Sequence, residues 1–333
     1  MKSSLLEESM GTRSTGKHSQ PIPKQVRNRS RVDRLAGVSL SLLACLPVLL
    51  LIAIISALWV RARLILATGS LWMLLSSEIW HPMRAEFGFL PFILGTLWVT
   101  GVAMFLAVPP ALLSAIYLAE YARPRARSLA KPLIDLLAAI PSVVYGVWGV
   151  IVVVPWVGSS VAPQLSRWLG FWPLFSNRNP TGFGILAGGI VLAVMVVPFI
   201  SSVTYEVLQA LPAGMREASL ALGATRWQTI KHALLPQALP GVAAGIVFGA
   251  SRALGETMAV LMVVGNVIQV PHSIFDAAYP LPALIANNYG EMLSIPLYDA
   301  ALLAAALVLL LIVLIFNLLS TLALRRIIRS WSQ

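Results

Sequence analysis

Two charged residues, Arg252 and Glu256, interrupt an otherwise apolar run over roughly 240–268. Placing such a charge at the centre of a membrane helix costs about 2.5–3.5 kcal/mol by insertion scales. An i, i+4 ion pair in an isolated helix returns only about 0.2–0.5 kcal/mol, and arginine before glutamate is the weaker order. Helix stability therefore does not account for the pair. Gly241, Gly245 and Gly249 precede it at four-residue spacing, which lets helices approach closely in lipid. At about 100° per residue, Arg252 falls about 20° from Gly241, Glu256 about 60° and Asn266 about −20°. One unbroken helix would put them all on the glycine face, toward another helix or a water-filled route. Two readings stay open: a structural ion pair that fixes packing, or an Arg252 that faces a route through the membrane. A guanidinium suits a tetrahedral oxyanion, because it stays charged and offers paired donors. Glu256 would then hold Arg252 while the route is empty and soften its grip on the anion.

Other chemistry is hard to find. Gly11-Thr-Arg-Ser-Thr-Gly-Lys-His18 has the outline of a nucleotide-binding loop. His18 stands where a hydroxyl must meet magnesium, and no apolar strand or helix flanks the segment. Any ATP use thus falls to another subunit. His18, His81, His232 and His272 lie far apart without metal-ligand spacing, and the single cysteine, Cys45, permits no intrachain disulfide. No nucleophile with a base is placed for catalysis. The sequence thus offers no catalytic and no metal-binding residues.

The elements that must position Arg252 are membrane helices. Of the 333 residues, 58% are hydrophobic and only 11% are charged, against about 25% charged in soluble domains. Six apolar segments, roughly 35–60, 91–119, 133–157, 182–207, 240–268 and 299–323, are long enough to span. Prolines inside them, including Pro109, Pro141 and Pro198, imply kinks held by neighbouring helices. The net charge of +11 is not a nucleic-acid signature, because the cations sit at the ends of apolar runs. Lys and Arg divide 18 to 5 between the two sides, with Arg252 alone inside a span. That bias places both termini in the cytoplasm. Residues 1–34 read as a basic, disordered tail and 35–333 as the spanning domain. Loops 61–90, 158–181 and 271–298 are expected on the outside, with short interfacial helices able to dock a partner.

Between the fourth and fifth spans, residues 208–239 read as two short helices against the membrane. One starts after Pro212-Ala-Gly and stops at Gly223, a residue type that tolerates a left-handed closing turn. The segment resembles the E-A-A-x3-G loop of ABC importer permeases, written here as Glu217-Ala218-Ser219, Gly223, Ala233, Leu235 and Pro236. Ser219 and Ala233 depart from the pattern, while the Glu, Gly and Leu-Pro anchors keep their spacing. The runs Leu136-Leu-Ala-Ala-Ile-Pro-Ser-Val-Val-Tyr-Gly-Val-Trp-Gly149 and Arg252-Ala-Leu-Gly-Glu-Thr-Met-Ala-Val-Leu-Met-Val-Val-Gly-Asn266 resemble the PstC family of phosphate importer permeases. The match covers about 90–325 and leaves the basic tail outside.

The resemblance implies an all-α integral membrane protein of the type I ABC importer (MetI-like) fold, in the bacterial inner membrane. It implies a PstA-like second permease, two PstB-like ATPase subunits that use ATP and Mg, and a PstS-like phosphate-binding protein, with no cofactor held by this chain. Glu217, Ala218 and Gly223 become the ATPase-coupling residues. Arg252 and Glu256 become candidates for the substrate path. Pro141-Ser142 and Tyr145-Gly146 either line that path or shape a kink. Rival readings are a permease for sulfate, molybdate or phosphonate, and a subunit that signals phosphate status.

Overall fold

A computed structural model describes residues 24–67, 70–177, 179–291 and 295–331. The Gly11–His18 segment and the rest of 1–23 lie outside the described residues. The chain divides into two compact units, Met1–Ser56 and Ala57–Gln333. A helix runs over Lys24–Leu66, so residues 24–34 of the tail expected to be disordered are helical. Among the described residues, six helices are long and apolar enough to cross a membrane: Ala36–Leu66, Leu90–Tyr121, Ser142–Leu169, Ile185–Gln209, Arg226–Leu254 and Leu297–Arg326.

The third span differs from the reading of the sequence. It runs over Ser142–Leu169, not 133–157. Its start is later because a separate amphipathic helix occupies Pro124–Ala139 and buries none of its residues fully, and its end is later because the helix carries on through two wide turns. Pro141 disfavours a helical Ile140, which adopts φ −63° and ψ 132° and ends that surface helix. The apolar residues of 133–139 had merged with those of the true span.

Prolines also explain why several helices are not regular. Wide π-type turns occupy Gly149–Val153, Val157–Val161 and Ile230–Leu234. Each ends two residues before a proline: Pro155, Pro163 and Pro236. A proline has no amide to donate and crowds the carbonyl four residues back. Widening the preceding turn relieves that crowding without breaking the helix. A fourth wide turn, Tyr117–Tyr121, ends the second span three residues before Pro124.

The second and fourth spans form the centre of the larger unit. Ala103, Ala107, Ala111 and Ala115, at four-residue spacing, are fully buried. Ser201 of the fourth span donates to the Ala111 carbonyl at 2.9 Å and pairs with Ser114 at 2.7 Å. On the opposite side from the cytoplasmic loops, irregular backbone is tied to span ends. Gly184 N donates to Val263 O at 3.2 Å, and Ile185 N to Asp276 O at 3.0 Å. The outer segments include a two-residue strand pair, Trp80–His81 with Glu86–Phe87, and the helices Leu71–Ser76 and Leu281–Asn288.

Candidate functional site

The fifth span is where sequence and structure part most. It begins at Arg226, not near 240, because the second loop helix continues through Pro236 into the span. It ends at Leu254, and a short helix resumes only at Met258–Val263. Gly255 follows the last helical residue. The Glu256 carboxylate then accepts the amide of Ala259 at 3.3 Å. Arg252 and Glu256 therefore do not lie on one continuous helix, and extrapolating a constant turn per residue past Leu254 fails.

The two charges go to different places. Glu256 is half-buried in a narrow space with Thr96, Thr100, Pro280 and Pro282. Arg252 is exposed, and its guanidinium lies 5.8 Å from the centroid of the Phe199 ring. No ion pair joins Arg252 to Glu256, and Arg252 forms no hydrogen bond among the described residues. The expectation that Glu256 holds Arg252 does not describe this structure. Its neighbour Ser251 anchors the helix instead, donating to Asn317 of the sixth span at 2.8 Å. Asn266 leaves the glycine face altogether. It sits in a loop at φ 53° and lines a polar outer cavity of about 670 Å³ with Asn179, Gln269, His272 and Asp276.

The glycine stripe has a definite neighbour, the fourth span. A methyl group at Gly241 would lie 2.7 Å from Val207 Cγ2, at Gly245 2.9 Å from Val203 Cγ1, and at Gly249 2.7 Å from Ile200 Cγ1. Only hydrogen at these positions permits so close an approach. This contact fixes the helix that carries Arg252 and leaves the guanidinium on open surface beside Phe199. Gly146 of the third span serves a similar end, since a methyl there would lie 2.7 Å from the sulfur of Met262, beyond the break. Tyr145 is buried and donates to the Leu137 carbonyl at 2.7 Å. It joins the third span to the surface helix.

On the cytoplasmic side, the loop helix runs over Ala213–Ala221. Glu217, Ala218 and Gly223 are all exposed, and Leu222 between them is 90% exposed. Gly223 has φ +83° and open space around it, so its role is to turn the chain. The next helix begins with a reciprocal cap, in which Gln228 N donates to Thr225 Oγ1 and Thr225 N donates to Gln228 Oε1. Ser219, the departure from the loop pattern, pairs with Thr229 Oγ1 at 2.9 Å and holds the two helices together.

Sequence reasoning missed the charged residues just beneath this loop. Arg216 pairs with Glu120 at 2.7 Å. Arg127 donates to the carbonyls of Leu118 and Ala119, and Gln209 donates to that of Ala119, where the wide turn leaves acceptors open. Lys131 binds Asp135 at 2.9 Å, Ser202 at 2.7 Å and Glu206 at 3.1 Å. Burial acts to lower the Lys131 pKa, but the bonds and charges of Asp135 and Glu206 outweigh it and raise the group above its ordinary value. The hydrogen bond from Lys131 holds the Asp135 carboxyl below the usual carboxylate range. The one available signal was Glu120, an acidic residue closing an apolar run.

Residues 111–329 match the family described as binding-protein-dependent transport system inner membrane component. The phosphate transport system permease protein PstC of Pasteurella multocida is 38% identical over 251 residues, covering 74% of this chain and 78% of that protein. The PstC of Haemophilus influenzae is 35% identical over 268 residues, covering 79% and 84% respectively. Among solved structures, an inward-facing MetNI methionine ABC transporter chain aligns with a TM-score of 0.52 at 21% identity, covering 75% of this chain and 99% of that one. That likeness is one of fold. The six spans, the exposed cytoplasmic loop helix and these matches agree on one assignment: the chain belongs to the binding-protein-dependent inner membrane transport family and, within it, to the PstC phosphate transport system permeases.

Proposed function

We propose that this chain forms one side of the channel through which an ATP-driven importer moves inorganic phosphate, and that Arg252 meets the anion on the way. The observation that carries the reading is a guanidinium on a membrane-spanning helix, exposed, with no acceptor among the described residues. A charge within a membrane-spanning segment is tolerated where it faces water or an ion route. The interrupted backbone at 255–257 supports the same place, because non-helical backbone at membrane depth belongs where protein buries it or a cavity solvates it. Discontinuous helices recur at the substrate sites of transporters.

A second permease, PstA-like, completes the channel beside Arg252. Two PstB-like ATPase subunits bind ATP and magnesium and dock on Glu217, Ala218 and Gly223. A PstS-like binding protein delivers phosphate from outside. This chain contributes no cofactor and hydrolyses nothing. Binding of ATP draws the ATPase subunits together, the loop helix moves with them, and the spans open outward. Phosphate then reaches Arg252, and hydrolysis returns the channel to its inward state. Glu256 shapes the break by capping the short helix rather than by restraining Arg252.

Reconstitution of the complex in vesicles tests the reading. ATP-dependent uptake of labelled phosphate is expected with the unchanged chain and is lost in Arg252→Gln while the subunits still co-purify. Normal uptake by that variant removes Arg252 from the route. Inhibition by sulfate or molybdate as strong as by unlabelled phosphate would reassign the anion.

A further inference from the structure

Arg216 precedes Glu217 by one residue yet faces the opposite way. Glu217 and Ala218 are exposed on the loop helix, whereas the side chains of Arg216 and Glu120 are only 23% and 11% exposed. The guanidinium uses its whole fork. Nη2 donates to Glu120 Oε1 and to the Leu208 carbonyl, each at 2.7 Å. Nε donates to both Glu120 oxygens at 3.1 Å, and Nη1 to the Leu211 carbonyl at 3.2 Å. Glu120 lies in the wide turn that ends the second span. Leu208 lies in the last turn of the fourth. One side chain therefore joins the loop helix to the cytoplasmic ends of the two spans that form the centre of the fold.

The physics makes this joint stiff. An exposed ion pair contributes little and can open freely. This pair is partly buried, and the more a pair is buried, the more parting its members strands a charge without a partner. The forked geometry also fixes direction as well as distance. Among the described residues, the other polar side-chain tie from this helix is Ser219 to Thr229, which leads to the fifth span. Residues 210–212 already join the loop helix to the fourth span by backbone, so Arg216 is the side-chain route from its exposed face to the second span.

We propose that Arg216 is a positioning residue for transport: it carries displacement of the loop helix into the second span through Glu120 and braces the end of the fourth through the Leu208 carbonyl. The inference rests on the reading of that helix as the ATPase docking site. Without the joint, the ATPase subunits still dock and hydrolyse, but the spans do not follow.

The test uses the complete complex in vesicles, with Arg216→Gln, Arg216→Lys and Glu120→Gln. Three quantities are read: co-purification of the ATPase subunits, ATP hydrolysis in the presence of binding protein, and phosphate uptake. Both glutamine variants are expected to keep the ATPase subunits and to raise ATP consumed per phosphate moved at least about fivefold, the low end of couplings between sites. Arg216→Lys keeps charge without the fork and is expected between them and the unchanged chain. An unchanged ratio in both glutamine variants overturns the proposal. So does an equal loss of hydrolysis and uptake, or a failure of all three variants to assemble, since either marks a purely structural role. Ala218→Arg serves as the control on docking. If it still retains the ATPase subunits, the docking reading itself is wrong. If it loses them while the Arg216 ratios stay normal, only the present inference falls.

Discussion

Arg252 and the glycines beside it are single residues whose substitution reads out different things. Replacing arginine by lysine keeps the charge and loses the forked donor pair. Loss of one charge-assisted bond corresponds to about 1.5–3 kcal/mol, or about ten- to a hundredfold. Arg252→Lys is therefore expected to lower uptake by that factor at limiting phosphate, with assembly intact, and Arg252→Gln to lower it further. Gly245→Leu addresses packing instead. Its first added carbon would meet Val203 at 2.9 Å, and overpacking of this kind costs about 1–3 kcal/mol. A lower melting temperature in detergent is expected. Gly214→Ala, with nothing within 4 Å, serves as the control that does not destabilise. Arg252 was legible because a lone cation in an apolar run stands out in any sequence. The Arg216–Glu120 pair was not, since its members are 96 residues apart and each looks like an ordinary end-of-span charge.

At the scale of elements, hydropathy located all six spans and misjudged both bounds of the third and the fifth. A run of apolar residues carries no mark that separates a surface helix from the span after it. At 133–141 the deciding feature was the conformational veto of Pro141 on Ile140. At 255–257 it was glycine followed by a side chain able to cap a new helix, and a periodicity argument cannot see a cap in advance. The wide turns before Pro155, Pro163 and Pro236 were likewise hidden, although the prolines themselves were plain. The surface helix 124–139 yields a pH prediction through Lys131 and Asp135. The Asp135 pKa is lowered, so its contribution is present above its unfolded value, about 3.9, and is lost as pH falls through the lowered folded value. The Lys131 pKa is raised, so its contribution is complete below about 10.4 and is lost as pH rises through the raised value. Spin-label distances from this helix to the fourth span are expected to hold across the interval between and to loosen on acidification below it. Asp135→Asn should shrink the acid-side change.

The whole molecule presents different chemistry on its two sides. The cytoplasmic face offers the exposed loop helix with Leu222 at its tip, and the outer face a polar cavity lined by His272 and Asp276. A cysteine at Leu222, in a Cys45→Ser background, should react with a membrane-impermeant maleimide only from the cytoplasmic side, and less when the ATPase subunits are bound. A cysteine at His272 should react only from outside. Labelling of either from the wrong side would overturn the orientation drawn from the Lys and Arg bias. The orientation itself is drawn from charge counts alone. The substrate is not, and it entered through resemblance and relatives.

The interruption at 255–257 makes the fifth span a jointed rod. Its upper piece is moored, because Val263 and Val264 carbonyls accept amides from Gly184 and Ala278 of the outer shell. Its lower piece continues into the cytoplasmic loop proposed to dock the ATPase subunits. We expect a pivot near Gly255 to move the lower piece together with the fourth span, to which the glycine stripe ties it, and Arg252, three residues from the pivot, to turn more than it travels. Labels placed on either side of the pivot should change their mutual orientation during the ATP cycle more than their separation.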